Sequence, residues 1–192
     1  LQIMRLHKPL EAERLIPIVE AALLRAGNTA VLRSEALGSF ADVDQQQNRL
    51  PLARTRYEES VALHVKAFGE DSELARKLNR LAAICSALGD DAAARTHLQR
   101  AAEIIERNYG PTYRHLGVIW TTLGEVELRR GNYAEARRVL ERALAHRERA
   151  EGASSPALTV TLISLGVVLY SQNDFAAADT VLSRAATIST QA

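Results

Sequence analysis

The chain has 192 residues, 47% hydrophobic and 24% charged, with 24 basic and 23 acidic side chains interspersed for a formal net charge of +1. It is too apolar for a disordered polymer and too evenly charged to be drawn to a nucleic-acid backbone or an anionic membrane surface. The single cysteine, Cys85, excludes an intrachain disulfide and a multi-cysteine metal site, and no apolar run approaches the roughly 20 residues of a membrane span, so neither nucleic acid nor membrane insertion is expected.

Residues 9–26 read as the second helix of an incomplete repeat, with Ala12, Ile16 and Val19 in phase. Pro17 inside it predicts a kink or a late helix start. Four helix pairs follow, each with a helix A and a helix B. Repeat 1 (29–68) carries Leu37, Phe40 and Ala41, then Ala53, Tyr57 and Ser60; repeat 2 (72–108) carries Leu78, Leu81 and Ala82, then Ala94, Leu98 and Ala101. Repeat 3 (113–150) has Trp120, Leu123 and Gly124, then Ala136, Leu140 and Ala143; repeat 4 (156–190) has Leu162, Leu165 and Gly166, then Ala178, Leu182 and Ala185.

Two rulers measure the period. The turn inside each pair runs Asn48, Gly89, Gly131, Asn173, at spacings of 41, 42 and 42; the glycine between pairs runs Gly27, Gly69, Gly110, Gly152, at 42, 41 and 42. Glycine and asparagine recur because a helix end commonly needs a left-handed residue, which other side chains adopt with strain. Ser72 and Ser155 are expected as helix N-caps. Small residues at Ala41, Ala82, Gly124 and Gly166 on helix A, and at Ala101, Ala143 and Ala185 on helix B, are expected to let paired axes approach at the short end of the roughly 8–10 Å range.

Trp120, Leu123, Gly124, Ala136 and Leu140 reproduce the W-x-x-L-G and A-x-x-x-F type spacing of the tetratricopeptide repeat, and nearly the whole chain resembles that family. The 42-residue period and "LNRLA" at Leu78–Ala82 look like the repeats of kinesin light chains and of many bacterial members, although Asn79 is followed by Arg80 where the kinesin pattern pairs asparagines. "RRGNYAEARRVLERALAHRE" resembles bacterial arrays that follow serine/threonine kinase domains or accompany transcription regulators; 21 arginines against 3 lysines fit a GC-rich bacterial genome. The resemblance implies an all-α, right-handed superhelical solenoid of antiparallel helix pairs, a single array over 1–192. The start at Leu1 and the end in "ISTQA" suggest part of a longer protein.

No phosphate loop, nucleophile elbow or paired-carboxylate context appears. His7, His64, His97, His115 and His146 share no metal-ligand spacing, so no metal and no cofactor are expected. Trp120 and Cys85 read as core, and Glu141, Arg137 and Arg142 as a solvated helix face. A helical hydrolase using His115 or Glu125 is the enzyme-class alternative, and it requires a pocket of convergent titratable groups.

The resemblance implies that a protein or peptide binds in a concave groove lined by helix A. By phase, that face carries Glu35, Ser39, Asp42 and Gln45 in repeat 1; Arg76, Asn79 and Arg80 in repeat 2; Thr121, Thr122, Glu125 and Arg129 in repeat 3; Val160, Ile163, Val167 and Tyr170 in repeat 4. Arg76 and Arg80, four apart, could receive a carboxylate. Against that stands pairing with Asp42 or Glu35 on the neighbouring helix, and Gly38, Ser39 and Asp42 depart from a chaperone-tail clamp. Val160, Ile163, Val167 and Tyr170 form a second apolar side of a helix whose packing face already has Leu162, Leu165 and Leu169. Self-association or partner capture there is the expectation; the alternative buries Val160 and Val167 on the preceding repeat and exposes only Tyr170. The functional expectation is a protein-interaction module without catalysis, or alternatively the regulatory domain of a bacterial signalling protein. Repeat 1 is expected to be the weakest, because Asp44 stands where Cys85 and Leu169 stand elsewhere and Gln45, Gln46 and Gln47 add no apolar surface.

Overall fold

The computed structural model describes residues 9–191. Among these it forms nine α-helices and no strand: α1 (Pro9–Arg25), α2 (Ala30–Gln46), α3 (Leu50–Phe68), α4 (Ser72–Ala87), α5 (Asp91–Tyr109), α6 (His115–Arg129), α7 (Tyr133–Glu151), α8 (Leu158–Ser171) and α9 (Phe175–Gln191). They fall into two compact units, Leu1–Asp90 and Asp91–Ala192, divided between α4 and α5.

Both rulers mark left-handed backbone. Asn48, Gly89, Gly131 and Asn173 have φ of 58°, 81°, 75° and 62°, and Gly27, Gly69, Gly110 and Gly152 have 82°, 77°, 81° and 91°. After each intra-repeat turn the chain donates back across it: the amides of Arg49, Asp90, Asn132 and Asp174 reach the carbonyls of Asp44, Cys85, Glu127 and Leu169 at 2.8–2.9 Å. This six-residue bond is the Schellman closure that satisfies the last carbonyls of a helix. The sequence period is thus a period of helix-ending hydrogen bonds.

Helix starts differ from expectation. The N-cap of α4 is Asp71, whose carboxylate accepts from the Leu74 amide at 2.9 Å, and Ser72 is the first helical residue. Burial opposes ionisation of Asp71, but the Leu74 amide and the His64 ring at 2.8 Å hold its carboxyl below the usual carboxylate range. A carboxylate there also faces the positive end of the helix dipole, which a serine hydroxyl does not exploit. Ser155 accepts from the Ala157 amide and so shapes the turn before α8 rather than capping it. Helix α1 continues through Pro17, so the late start is overturned; Pro17 is exposed, and α1 packs through Ile16, Val19 and Leu23 on Ala36 and Phe40 of α2. The side chain of Ala12, like Leu1 and His7, lies outside the described residues.

In the first unit α1 packs on α2, α2 on α3 and α3 on α4. Its core mixes apolar groups such as Tyr57, Leu74, Leu78 and Ile84 with a polar insertion. Ser34 and Ser60 exchange hydroxyl-to-carbonyl hydrogen bonds at 2.8 and 2.7 Å, and Lys77, only 4% exposed, donates to Ser60 Oγ at 3.1 Å and meets Glu35 at 3.2 Å. The buried ammonium is therefore partnered, as a low-dielectric interior requires.

In the second unit each helix from α5 to α9 packs on the next, and α6 also touches α8. Leu140, Leu165, Val168 and Leu169 form one core cluster, and Leu158, Leu162, Ala185 and Ile188 another. Trp120 and, in the first unit, Cys85 are core residues, 5% and 0% exposed. The helix A glycines meet leucines rather than the helix B alanines: Gly124 faces Leu140, and Gly166 faces Leu182.

Asp44 is no weak point. It is fully buried, but Arg49 and Arg56 contact its carboxylate at 2.9 and 2.6 Å, and Arg49 reaches on to Glu13 of α1 at 2.6 Å. Glu127, 83 residues later by sequence number, is buried in the same way against Arg95 at 2.8 Å and Asn132 at 2.7 Å. One helix A position thus alternates between carboxylates with cationic partners and the apolar Cys85 and Leu169.

Candidate interaction face

In the first unit, α2 and α4 lie side by side and use much of their predicted contact surface on each other. Arg80 pairs with Asp42 at 2.7 Å, and Tyr57 donates its phenol proton to the same carboxylate. Burial, followed by the Asp42 charge, pushes the Tyr57 phenol well above its ordinary value, so the hydroxyl stays a donor. Arg76 turns instead to Glu73 on its own helix. The two arginines therefore do not converge as an empty fork, and the neighbour pairing foreseen as the alternative is what forms. Asn79 is half-buried between them in sequence, with its Oδ1 buried and without a hydrogen-bond partner.

In the second unit, α6 and α8 are joined by Thr121 and Thr161, whose hydroxyls are 2.8 Å apart, and by Ser164 donating to Glu125 at 2.8 Å. Thr121 is only 4% exposed and also donates to the Gly117 carbonyl at 2.8 Å. Its place on an open face is corrected: a β-branched hydroxyl can bond its own preceding turn and pack, so phase alone did not separate it from exposed Thr122. Arg129 donates to Asp91 of α5 at 3.2 Å. His115 stacks on Tyr113 with centroids 5.3 Å apart, while Glu125 is engaged by Ser164.

The apolar residues of α8 are exposed together. Val160, Ile163, Val167 and Tyr170 retain 56%, 46%, 44% and 64% of their surface, so the reading that buries Val160 and Val167 fails. The opposite side of α8, Leu158, Leu162, Leu165 and Leu169, is core. Tyr170 meets Phe175 edge-on at 5.1 Å, extending the patch onto α9. The sequence reading missed Val118, exposed on α6 and 42 residues before Val160; the period alone could have found it. Among the described residues no helix is long and apolar enough to cross a membrane, and no group of three or more His, Cys, Asp or Glu stands together as a metal site.

A family model described as tetratricopeptide repeat matches residues 32–107 and 115–191. The chain belongs to the tetratricopeptide repeat family. Its fold is the all-α solenoid class expected from the 42-residue period. Among solved structures, BtubC (BKLC) from P. vanneervenii is similar at 26% identity and a TM-score of 0.84, over 95% of this chain and 74% of that one. Nearly identical TPR-like repeats of the kinesin light chain kind from Podosopora anserina give 17% and 0.82, over 99% and 91%. A Rap protein complexed with competence and sporulation factor gives 17% and 0.77, over 94% of this chain and 48% of that one. No protein of curated function matches the sequence.

Proposed function

We propose that this tetratricopeptide chain is a protein-interaction module, without chemistry of its own, whose helix A face on α6 and α8 receives an apolar segment of a protein or peptide partner. The observation that carries the reading is the exposed stripe Val160, Ile163, Val167 and Tyr170 on a helix with no charged residue between Leu158 and Ser171. Apolar surface concentrated on one helix face is characteristic of contact sites, and the polar neighbours Thr122, Glu125 and Arg129 on α6 supply a rim. The similar Rap fold, solved with a bound factor, supports an array of this kind acting as a receptor. In the first unit, Arg76, Asn79 and Arg80 form a polar counterpart. A carboxylate-bearing partner would displace Glu73 and Asp42 there, an exchange between exposed ion pairs that involves little net energy.

Peptides selected from a random display library against the chain test this. They should carry apolar residues at helical spacing, and Ile163→Asp with Val167→Asp should weaken them by roughly tenfold or more. Equal affinity for wild type and double variant would place the contact elsewhere. Light scattering on the free chain separates the remaining outcome, in which a second copy covers the stripe.

A further inference from the structure

His146 occupies a helix B position that the flanking repeats fill with isoleucine. Counting 42 residues each way gives Ile104 and Ile188, 1% and 5% exposed. His146 is equally buried at 5%, yet neither of its ring nitrogens has a hydrogen-bond partner. The ring is firmly seated. It stands edge-on to Trp120 at 5.3 Å, and Nδ1 fills space opposite Gly117, where an added Cβ would come within 3.1 Å. The equivalents of Gly117, Ala75 and Thr159, do carry side chains, so two departures from the repeat pattern combine to admit this imidazole.

Beside the ring is a cavity of about 170 Å³ lined by Pro111, Thr112, His146, Arg149 and Ala150. That is the volume of about five or six waters, enough for a molecule of about as many heavy atoms. Arg149 donates Nε to the Ala145 carbonyl at 3.0 Å and pairs with no carboxylate among the described residues. Its neighbours do: Arg142 with Glu106, Arg147 with Glu151 and Arg184 with Glu148. Around the imidazole, Arg149 and Arg142 disfavour a second positive charge, whereas the Thr112 backbone and Glu151 favour it. A buried polar ring without partners is unfavourable in an otherwise apolar position unless something in the cavity bonds to it.

We propose that this cavity binds a small free carboxylate, held between the His146 ring N–H and the Arg149 guanidinium, with its short aliphatic part against Pro111 and Ala150. Charge-assisted bonds from two donors converging on one small apolar-walled space are the arrangement a carboxylate selects.

Trp120 is the only tryptophan and touches His146, so its fluorescence reports on the site in the intact chain. Titration with propionate at mildly acidic pH should give a saturable change; propionamide, of the same shape without charge, should give none. Arg149→Gln, on an exposed residue, should weaken propionate roughly tenfold. His146→Ile, which installs the residue of the flanking repeats, should fold and abolish heat of binding in calorimetry. Inorganic phosphate should bind more weakly than propionate, since it lacks the apolar part. A non-saturable response, as from a cavity holding water alone, overturns the proposal. So does equal affinity for phosphate, or an Arg149→Gln variant that binds propionate as wild type.

Discussion

A Cβ placed on Gly124 would lie 2.5 Å from Cγ of Leu140, the leucine of the paired helix. Forty-two residues later the relation recurs, with Gly166 2.6 Å from Cγ of Leu182. The two sites differ in how much their leucines can give. Leu140 is fully buried, whereas Leu182 is 38% exposed. Gly124→Ala is therefore expected to destabilise by about 1–3 kcal/mol through overpacking, and Gly124→Leu by more, while Gly166→Ala is relieved as Leu182 swings outward. Denaturant unfolding of the two alanine variants should rank them in that order; an unchanged midpoint for Gly124→Leu contradicts the placement.

Asp44→Ala should destabilise by about 3 kcal/mol, because it leaves Arg49 and Arg56 facing a cavity where a buried carboxylate had been. Asp44→Leu, although it copies Leu169, should recover little while both arginines remain. Hydrogen exchange at α2 and α3 should accordingly be slow in the wild type and fast in Asp44→Ala. Fast exchange in both would restore the view of repeat 1 as the weak end.

The helix pairs were legible because their ends are written in residues with unusual backbone freedom. Asn48 and Asn173 take positive φ as readily as Gly89 and Gly131 do, so one ruler could be read through both residue types. Partners chosen by tertiary position were not legible. Asp44 reads as a defect by composition, and only the fold shows Arg56 a turn and a half into the next helix aimed at it. Ser72 outranks nothing locally over Asp71; the choice was made by the amide and the histidine that share the carboxylate. At the face, period and apolar count located the α8 stripe, but phase could not tell exposed Thr122 from buried Thr121, whose hydroxyl finds Thr161 on another helix.

The stability of the second unit should fall in mild acid through His146. Burial, reinforced by Arg149, lowers its folded pKa below the ordinary 6.5. The unfolded chain then binds the proton more readily, so the native advantage is fully present above the unfolded value and declines as pH falls through 6.5 toward the folded value. Thermal midpoints measured across that window should drop for wild type and stay level for His146→Ile. Glu13 and Glu135, with carboxyls held low chiefly by Arg49 and Arg138, act only at lower pH, below the ordinary 4.5, and leave the window clear. Parallel curves for the two proteins would remove His146 as the cause.

The two sides of α8 should answer the same substitution in opposite ways. Ile163 projects to solvent with 46% of its surface free, whereas Leu165, two residues on, is 4% exposed in the cluster with Leu140 and Val168. Aspartate at 163 exchanges solvent-facing apolar area for a hydrated carboxylate and is expected to shift stability by no more than about 0.5 kcal/mol. Aspartate at 165 must either bury that carboxylate without a partner or open the contact between α7 and α8, and the desolvation of even a neutral polar group there costs about 1–3 kcal/mol, an ion far more. Circular dichroism should therefore show Ile163→Asp with Val167→Asp melting near wild type and Leu165→Asp losing helix at room temperature. If the double variant unfolds as well, the exposed stripe contributes to the core, and α8 offers no free face to a partner.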